Sequence, residues 1–313
     1  MTLTAPTEAP GKPVVRLGDR LFSGTARVAA MLIMAALAGV AVFLVIEGLP
    51  GLTAPADIYR PAHDFWSYVG PLVWGTVLAA VVALVIAVPF SIGVALFISH
   101  YAPPRIAAPI AYVIDLLAAI PSVVYGLWGG LALAGSITPV IDWLYDHLGF
   151  LPFFAGPPSV TGRTMLTAGI VLAIMVIPIT TAISREVFAQ TPRLHEEAAM
   201  ALGATRWETI RLAVFPYARS GVVSGVMLGL GRALGETMAV AMVLSATPVV
   251  TLNLISNSNP ATIASNIAAN YKEATPDRQA LLIATGLVLF LVTFAVNFAA
   301  RLIVARSERK VTR

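Results

Sequence analysis

Six apolar stretches, each long enough to cross a lipid bilayer, constrain this chain more than any other feature. They occupy residues 25–48, 69–99, 107–135, 165–188, 217–245 and 279–304. A bilayer core about 30 Å thick takes about 20 helical residues, and the longer stretches fit with tilt. Across 313 residues, 58% are hydrophobic and 12% charged, whereas a soluble domain carries roughly a quarter charged. Water cannot solvate that much apolar surface, so the reading is one all-α integral membrane protein with about six transmembrane helices.

The segment from Arg27 to Glu47 follows a polar, basic tail and exceeds the core of about 7 to 15 residues found in a signal peptide. It reads as a retained helix. The chain therefore divides into a tail over 1–24 with a candidate interfacial helix at 14–23, a first span at 25–48, a core of five spans over 69–304, and a tail at 305–313. The stretch through Pro13 reads as disordered. Pro89, Pro121 and Pro178 are expected to interrupt the second, third and fourth spans, with Ser91, Ser122, Thr180 and Thr181 at hand for the freed carbonyls.

Lys and Arg fix the orientation. With the N-terminus in the cytoplasm, fifteen fall on inner segments, and only Arg60, Arg163, Lys272 and Arg278 fall outside. That bias puts both termini inside. The net charge of +4 does not imply nucleic acid, because the basic residues lie between apolar runs and not in a patch with aromatics. The absence of cysteine excludes disulfides, iron–sulfur clusters and thiol catalysis. Outer loops at 49–68, 136–164 and 246–278 are rich in Pro, Gly, Asn and Asp and read as turns and short interfacial helices.

The inner loop 184–216 has the composition of two short helices. Thr191 and Pro192 read as N-cap and first-turn proline, Glu196 and Glu197 lie near that positive end, Gly203 breaks the helix and Thr205 caps the next. Glu197, Ala198, Ala199, Gly203 and Pro216 follow the spacing of the EAA loop, and the segment resembles that loop of bacterial ABC-importer permeases. Ala213 and Phe215 stand where the family favours Ile and Leu, and both remain apolar. The resemblance implies that the coupling loop 189–216 docks on an ATPase subunit.

Arg232 and Glu236 lie roughly 22 and 28 Å along a helix from Tyr217, so Arg232 falls near mid-bilayer. An arginine there costs on the order of 2.5–3.5 kcal/mol and should face protein or a water-filled cavity. At helical period, Gly221, Gly225, Gly229, Arg232 and Glu236 fall within about 80° of one another, a polar seam that invites a second helix. The pair reads either as part of a transport path or as an i, i+4 lock on packing. Arginine suits an oxyanion because its planar fork donates paired hydrogen bonds.

Residues 231–240, Gly-Arg-Ala-Leu-Gly-Glu-Thr-Met-Ala-Val, closely resemble the fifth-span signature of phosphate-importer permeases, and 120–126, Ile-Pro-Ser-Val-Val-Tyr-Gly, resemble their third span. The resemblance runs from Pro71 to Val304, and its wording is similar to the PstC type more than to the A-type sister. It implies an ABC type I importer permease fold in a bacterial inner membrane, moving inorganic phosphate inward, with Arg232 and Glu236 on the substrate pathway. Ser122 and Tyr125 are candidates for the pathway or for structure. Asp115, where the family commonly has Glu, is either a partner for Arg232 or an interfacial charge. The implied partners are an A-type second permease, two ATP-binding subunits and an extracytoplasmic phosphate-binding protein.

The sequence has no Gly-x-x-x-x-Gly-Lys-Ser/Thr, so ATP and Mg belong to the partner ATPase and this chain is expected to carry no cofactor. His63, His100, His147 and His195 lie in loops or at span ends without a His-Glu-x-x-His pattern, so an intramembrane metalloenzyme lacks its parts. Competing readings are a permease for molybdate or sulfate and a proton-coupled secondary transporter. The latter has no need of the EAA loop.

Overall fold

The structure is a computed structural model that describes residues 17–311. Regular elements among these residues are helices, with one isolated bridge between Ala246 and Asn259 in the outer loops. Helix α1 spans Leu17–Leu52 and α2 spans Phe65–Leu96, prolonged by a π-helical turn at Phe97–Tyr101. Helix α3 (Pro104–Ala119) is followed by α4 (Ser122–Trp128), which runs through a π turn at Gly129–Leu133 into α5 (Ala134–Leu148). After α6 (Met165–Ala189) come the short α7 (Arg193–Ala201) and α8 (Arg206–Thr209), and a π turn at Ile210–Val214 leads into α9 (Phe215–Gly235). The chain ends with α10 (Met238–Val243), α11 (Ile263–Asn270) and α12 (Pro276–Val311).

Six helical stretches are long and apolar enough to span: Leu21–Leu52, Phe65–Tyr101, Ser122–Leu148, Met165–Ala189, Arg206–Gly235 and Pro276–Leu302. Their starts follow local chemistry. Asp64 caps α2 by accepting from the Ser67 N–H, and Thr164 caps α6 by accepting from the Thr167 N–H. At α8, Thr205 and Glu208 form a reciprocal capping box.

Helices α2, α6 and α9 form the centre. Lipid is as apolar as a protein core, so close approach of backbones holds such helices together more than the hydrophobic effect does. Accordingly Ala79, Ala80, Ala83 and Ala87 of α2 are buried against α6, where a Cβ on Gly169 would lie 2.3 Å from Val82 Cγ1. Between α6 and α9, a Cβ on Gly221 would lie 2.4 Å from Val187 Cγ2, and one on Gly229 would lie 2.7 Å from Val176 Cγ1. Most of α1 exposes its apolar side chains, and it touches α12 where Gly51 meets the Ala280 carbonyl.

Four expectations change. The expected interfacial helix at 14–23 is, over its described part from Leu17, continuous with α1; residues 14–16 and the tail before them lie outside the described residues. Pro89 and Pro178 stay inside α2 and α6, where Ser91 Oγ donates to the Ile177 carbonyl at 3.3 Å and Thr181 Oγ1 to the Ser91 carbonyl at 3.5 Å. Only Pro121 breaks its segment: Ile120 before it is extended at φ −69°, ψ 129°, as the residue preceding a proline prefers. The apolar run 107–135 is thus two helices, and the second continues to Leu148. Finally, the run 217–245 breaks at Glu236, which is extended at φ −70°, ψ 129°.

Candidate functional site

Helix α6 serves as a ruler of depth, running from outside at Met165 to inside at Ala189 under the charge-derived orientation. Gly129 of the π turn meets Val171 in its outer half, whereas Asp115 of α3 meets Arg185 near its inner end. Ala233 and Leu234 of α9 cluster with Ala173 and Val176, close to its middle. Both helix breaks, at Ile120–Pro121 and at Glu236–Thr237, adjoin this middle level.

The two short helices that follow the breaks lie side by side. A Cβ on Gly126 of α4 would fall 2.8 Å from Ala239 Cα of α10, and one on Gly130 would fall 2.8 Å from the Met242 carbonyl. Small residues are therefore required along this contact. In a bilayer the backbone groups freed by such breaks need protein partners. Tyr125 supplies one by donating its hydroxyl to the Leu117 carbonyl at 2.9 Å, at the end of α3. Glu236, 8% exposed, supplies another when its Oε1 accepts the Ala239 N–H at 3.2 Å and caps α10.

That geometry separates Arg232 from Glu236. The four-residue spacing assumed a continuous helix, but the break turns the carboxylate toward α10, and the two side chains form no ion pair. Arg232 is half-buried, and its Nε is fully buried without a hydrogen-bond partner. Thr180, whose buried Oγ1 is likewise unbonded, stands against Gly229 one turn away. The cation, two helix starts and the unbonded Thr180 hydroxyl near one depth suit a passing oxyanion.

Asp115 belongs elsewhere. Its side chain is 52% exposed and its Oδ2 lies 3.6 Å from Arg185 Nη2, so it is an inner-end charge and no partner of Arg232. Ser122 is the first residue of α4, directly after Pro121. The glycine seam of α9 faces α6 of the same chain; it does not by itself require a helix from a second permease.

At the inner end, α7 presents Glu197 and Ala198 to solvent and half-buries Ala199. Pro192 takes the cap position itself, and the expected cap Thr191 is buried with Oγ1 unbonded. Gly203 ends the turn at φ +89°, a conformation glycine adopts freely. Leu194, Met200, Leu202 and Trp207 are exposed, Leu202 at 91%. Beyond them Ile210, Val214 and Ala218 are buried with Phe188 and Val222, which anchors the α8–α9 rod to the inner ends of α2 and α6. Pro216, at the start of α9, follows the π turn in that rod. Composition and motif spacing located this loop but missed the α4–α10 contact, whose only linear signal is the glycine pair Gly126 and Gly130.

No group of three or more potential metal ligands occurs among the described residues. The family described as binding-protein-dependent transport system inner membrane component matches residues 87–311. A Mycobacterium tuberculosis protein described as phosphate transport system permease protein PstC 2 is 45% identical over 300 residues, covering 92% of each chain. The Mycobacterium leprae phosphate transport system permease protein PstC is 42% identical, covering 94% of this chain and 96% of its own. The Haemophilus influenzae protein of the same description is 38% identical over 93% and 94%. A crystal structure of a bacterial ABC transporter involved in the import of the acidic polysaccharide alginate matches with a TM-score of 0.55 at 16% identity, covering 92% of this chain and 99% of that one. At that identity the likeness is one of fold.

Proposed function

Because this chain belongs to the binding-protein-dependent transport system inner membrane components, and within them to the PstC-type phosphate permeases, we infer that it is the membrane permease subunit of an ABC phosphate importer. It is a non-catalytic inner-membrane subunit. Its partners include an ATPase and a binding protein; our finer reading is two ATP-binding subunits, an A-type second permease and one extracytoplasmic phosphate-binding protein.

Phosphate passes Arg232 at the level where α9 and the α3–α4 segment are both broken. The observation that carries this reading is the buried, unpartnered Nε of Arg232, one helical turn from Gly229 and the unbonded Thr180 hydroxyl packed against it. A cation kept at that depth with donor capacity unspent is costly unless something anionic visits it. Glu236 keeps the path open by capping α10 and does not neutralise Arg232. The inner loop receives motion from the ATPase: Glu197 to Gly203 docks, and the rod through Pro216 conveys the displacement to α9 and so to Arg232.

Uptake of labelled phosphate by the assembled importer tests the pathway. Arg232→Gln should lower uptake by about ten- to a hundred-fold, as expected for loss of a charge-assisted contact worth about 1.5–3 kcal/mol. The protein level and the ATPase assembly should stay normal. Uptake at the unaltered rate in a well-assembled Arg232→Gln complex would remove Arg232 from the pathway.

A further inference from the structure

A cavity of about 480 Å³ opens on the outer side, between the loop after α1, the start of α2, the segment after α10, α11 and the first turn of α12. Arg60, Ser67, Tyr68, Thr247, Asn266, Asn270 and Arg278 supply its polar lining. The outer loops as a whole are acidic, with Asp57, Asp64, Asp142, Asp146, Glu273 and Asp277 against Arg60, Arg163, Lys272 and Arg278. Yet the cavity gathers two of those four cations and none of the carboxylates. Neither Arg60 nor Arg278 forms an ion pair among the described residues, although Asp57 lines the adjoining cavity that shares Arg60.

Most of the remaining lining donors are spent on neighbours, and the Tyr68 hydroxyl is the exception. Tyr68 accepts from Asn266 Nδ2 at 2.9 Å, which leaves its own O–H without an acceptor among the described residues. Asn270 Nδ2 donates to the Asn266 carbonyl at 2.8 Å and holds α11 in register. Ser67 gives its hydroxyl to Asp64, which is not itself a lining residue, and that hydrogen bond holds the Asp64 carboxyl below the usual carboxylate range. Ala246, Ala261, Asn266 and Asn270 also line a smaller cavity of about 100 Å³ that reaches Val240 of α10 and Leu244 just after it. Helix α10 is the element that follows the Glu236 break, beyond Arg232 in the chain.

We propose that the outer cavity is an oxyanion site that takes a phosphate group on Arg60 and Arg278, with the Tyr68 hydroxyl as a third donor, at the outer end of the route along α10. The proposal rests on the reading of this chain as a phosphate permease. Two guanidinium groups with unspent donors match the several acceptor oxygens of a phosphate, and a half-exposed mouth lets the ion arrive hydrated and leave inward. A lipid headgroup carries the same phosphate chemistry, so the test includes both sources.

The test uses the assembled importer in nanodiscs, without nucleotide or binding protein, and labelled inorganic phosphate as the probe. One set of discs contains phosphatidylglycerol and the other only galactolipid. An Arg232→Gln background removes the inner contact and isolates the outer one. There, saturable phosphate binding should persist and should weaken by about ten-fold or more when Arg60→Gln and Arg278→Gln are added, each charged hydrogen bond being worth 1.5–3 kcal/mol. Ala246→Glu keeps both arginines, places a carboxylate on the wall and should weaken binding equally, which guards against misassembly of the arginine variants. Binding seen in galactolipid but competed away in phosphatidylglycerol keeps the oxyanion site and assigns its occupant to lipid. Absence of saturable binding in both bilayers, or binding indifferent to all three substitutions, would overturn the proposal. Normal phosphate uptake by the unaltered importer in that event leaves the permease reading standing, whereas absent uptake would defeat that reading whatever the outer cavity binds.

Discussion

A guanidinium at mid-membrane depth is tolerable when its donors are satisfied, and Arg232 Nε is buried without a partner. Glu236 answers a different need, the Ala239 N–H in the first turn of α10. The two charges should therefore act independently. In a double-mutant cycle of Arg232→Gln and Glu236→Gln, read by thermal stability of the solubilised complex, the coupling should stay below about 0.5 kcal/mol. A coupling of several kcal/mol, with uptake recovered in the double variant, would restore the packing lock. The identity of Arg232 as the costly residue was legible in the chain because charge and depth are linear properties. Its relation to Glu236 was not, since a four-residue spacing implies contact only while the helix continues. Gly203 gives a second residue-scale outcome. At φ +89° an alanine is strained by about 1 kcal/mol and a proline cannot adopt the angle at all, so Gly203→Ala should reduce and Gly203→Pro should abolish ATPase-coupled uptake while the chain remains in the membrane. Full coupling in Gly203→Pro would show that this turn does not carry the docking.

Helix α9 touches α6 through glycines, and the space there is already used. A Cβ on Gly229 would lie 2.7 Å from Val176 Cγ1 and 2.8 Å from Thr180 Oγ1, so Gly229→Leu should cost about 1–3 kcal/mol by overpacking and lower the melting temperature of the complex. Gly70→Ala on α2, where nothing lies within 4 Å, is the control and should leave the melting temperature unchanged. Equal melting for both variants would mean that α6 and α9 do not approach as described. The 3.6-residue period put Gly221, Gly225 and Gly229 on one contact face of α9, but it carried that face on to Glu236 beyond the break and could not say which helix occupies it, because periodicity reports the presence of a neighbour and not its identity. Proline was a similarly partial signal. Pro89, Pro121 and Pro178 look alike in the chain, but only Pro121 follows a residue in extended conformation and ends a helix. At Glu236 the break carries no proline; two glycines, Gly231 and Gly235, a β-branched Thr237 and a carboxylate able to cap the next helix replace it.

Topology is the property of the whole chain that the sequence states most directly, since lysine and arginine counts survive any error in helix limits. The absence of cysteine allows clean reporters. A cysteine replacing Arg206 should resist an impermeant thiol reagent on intact cells, and one replacing Val250, 64% exposed, should react; the reverse pattern would invert the orientation. Asn259 lies in the same outer loop but is fully buried and makes a poor reporter. That burial was not legible, because the outer segment inserts Leu254 and Ile255 beneath itself and joins Phe153 and Ser159 by backbone hydrogen bonds that follow no period. The apolar runs, the inner loop and the signature at 231–240 together point to a phosphate permease, and phosphate transport by an ATP-driven assembly is the central claim. Its most direct test is accumulation of labelled phosphate in proteoliposomes that hold the complete importer, with ATP inside and the binding protein outside. Accumulation should require ATP, persist without a proton gradient and withstand excess sulfate and molybdate. Uptake that needs a proton gradient and no ATP, or that either competing oxyanion displaces, would contradict it.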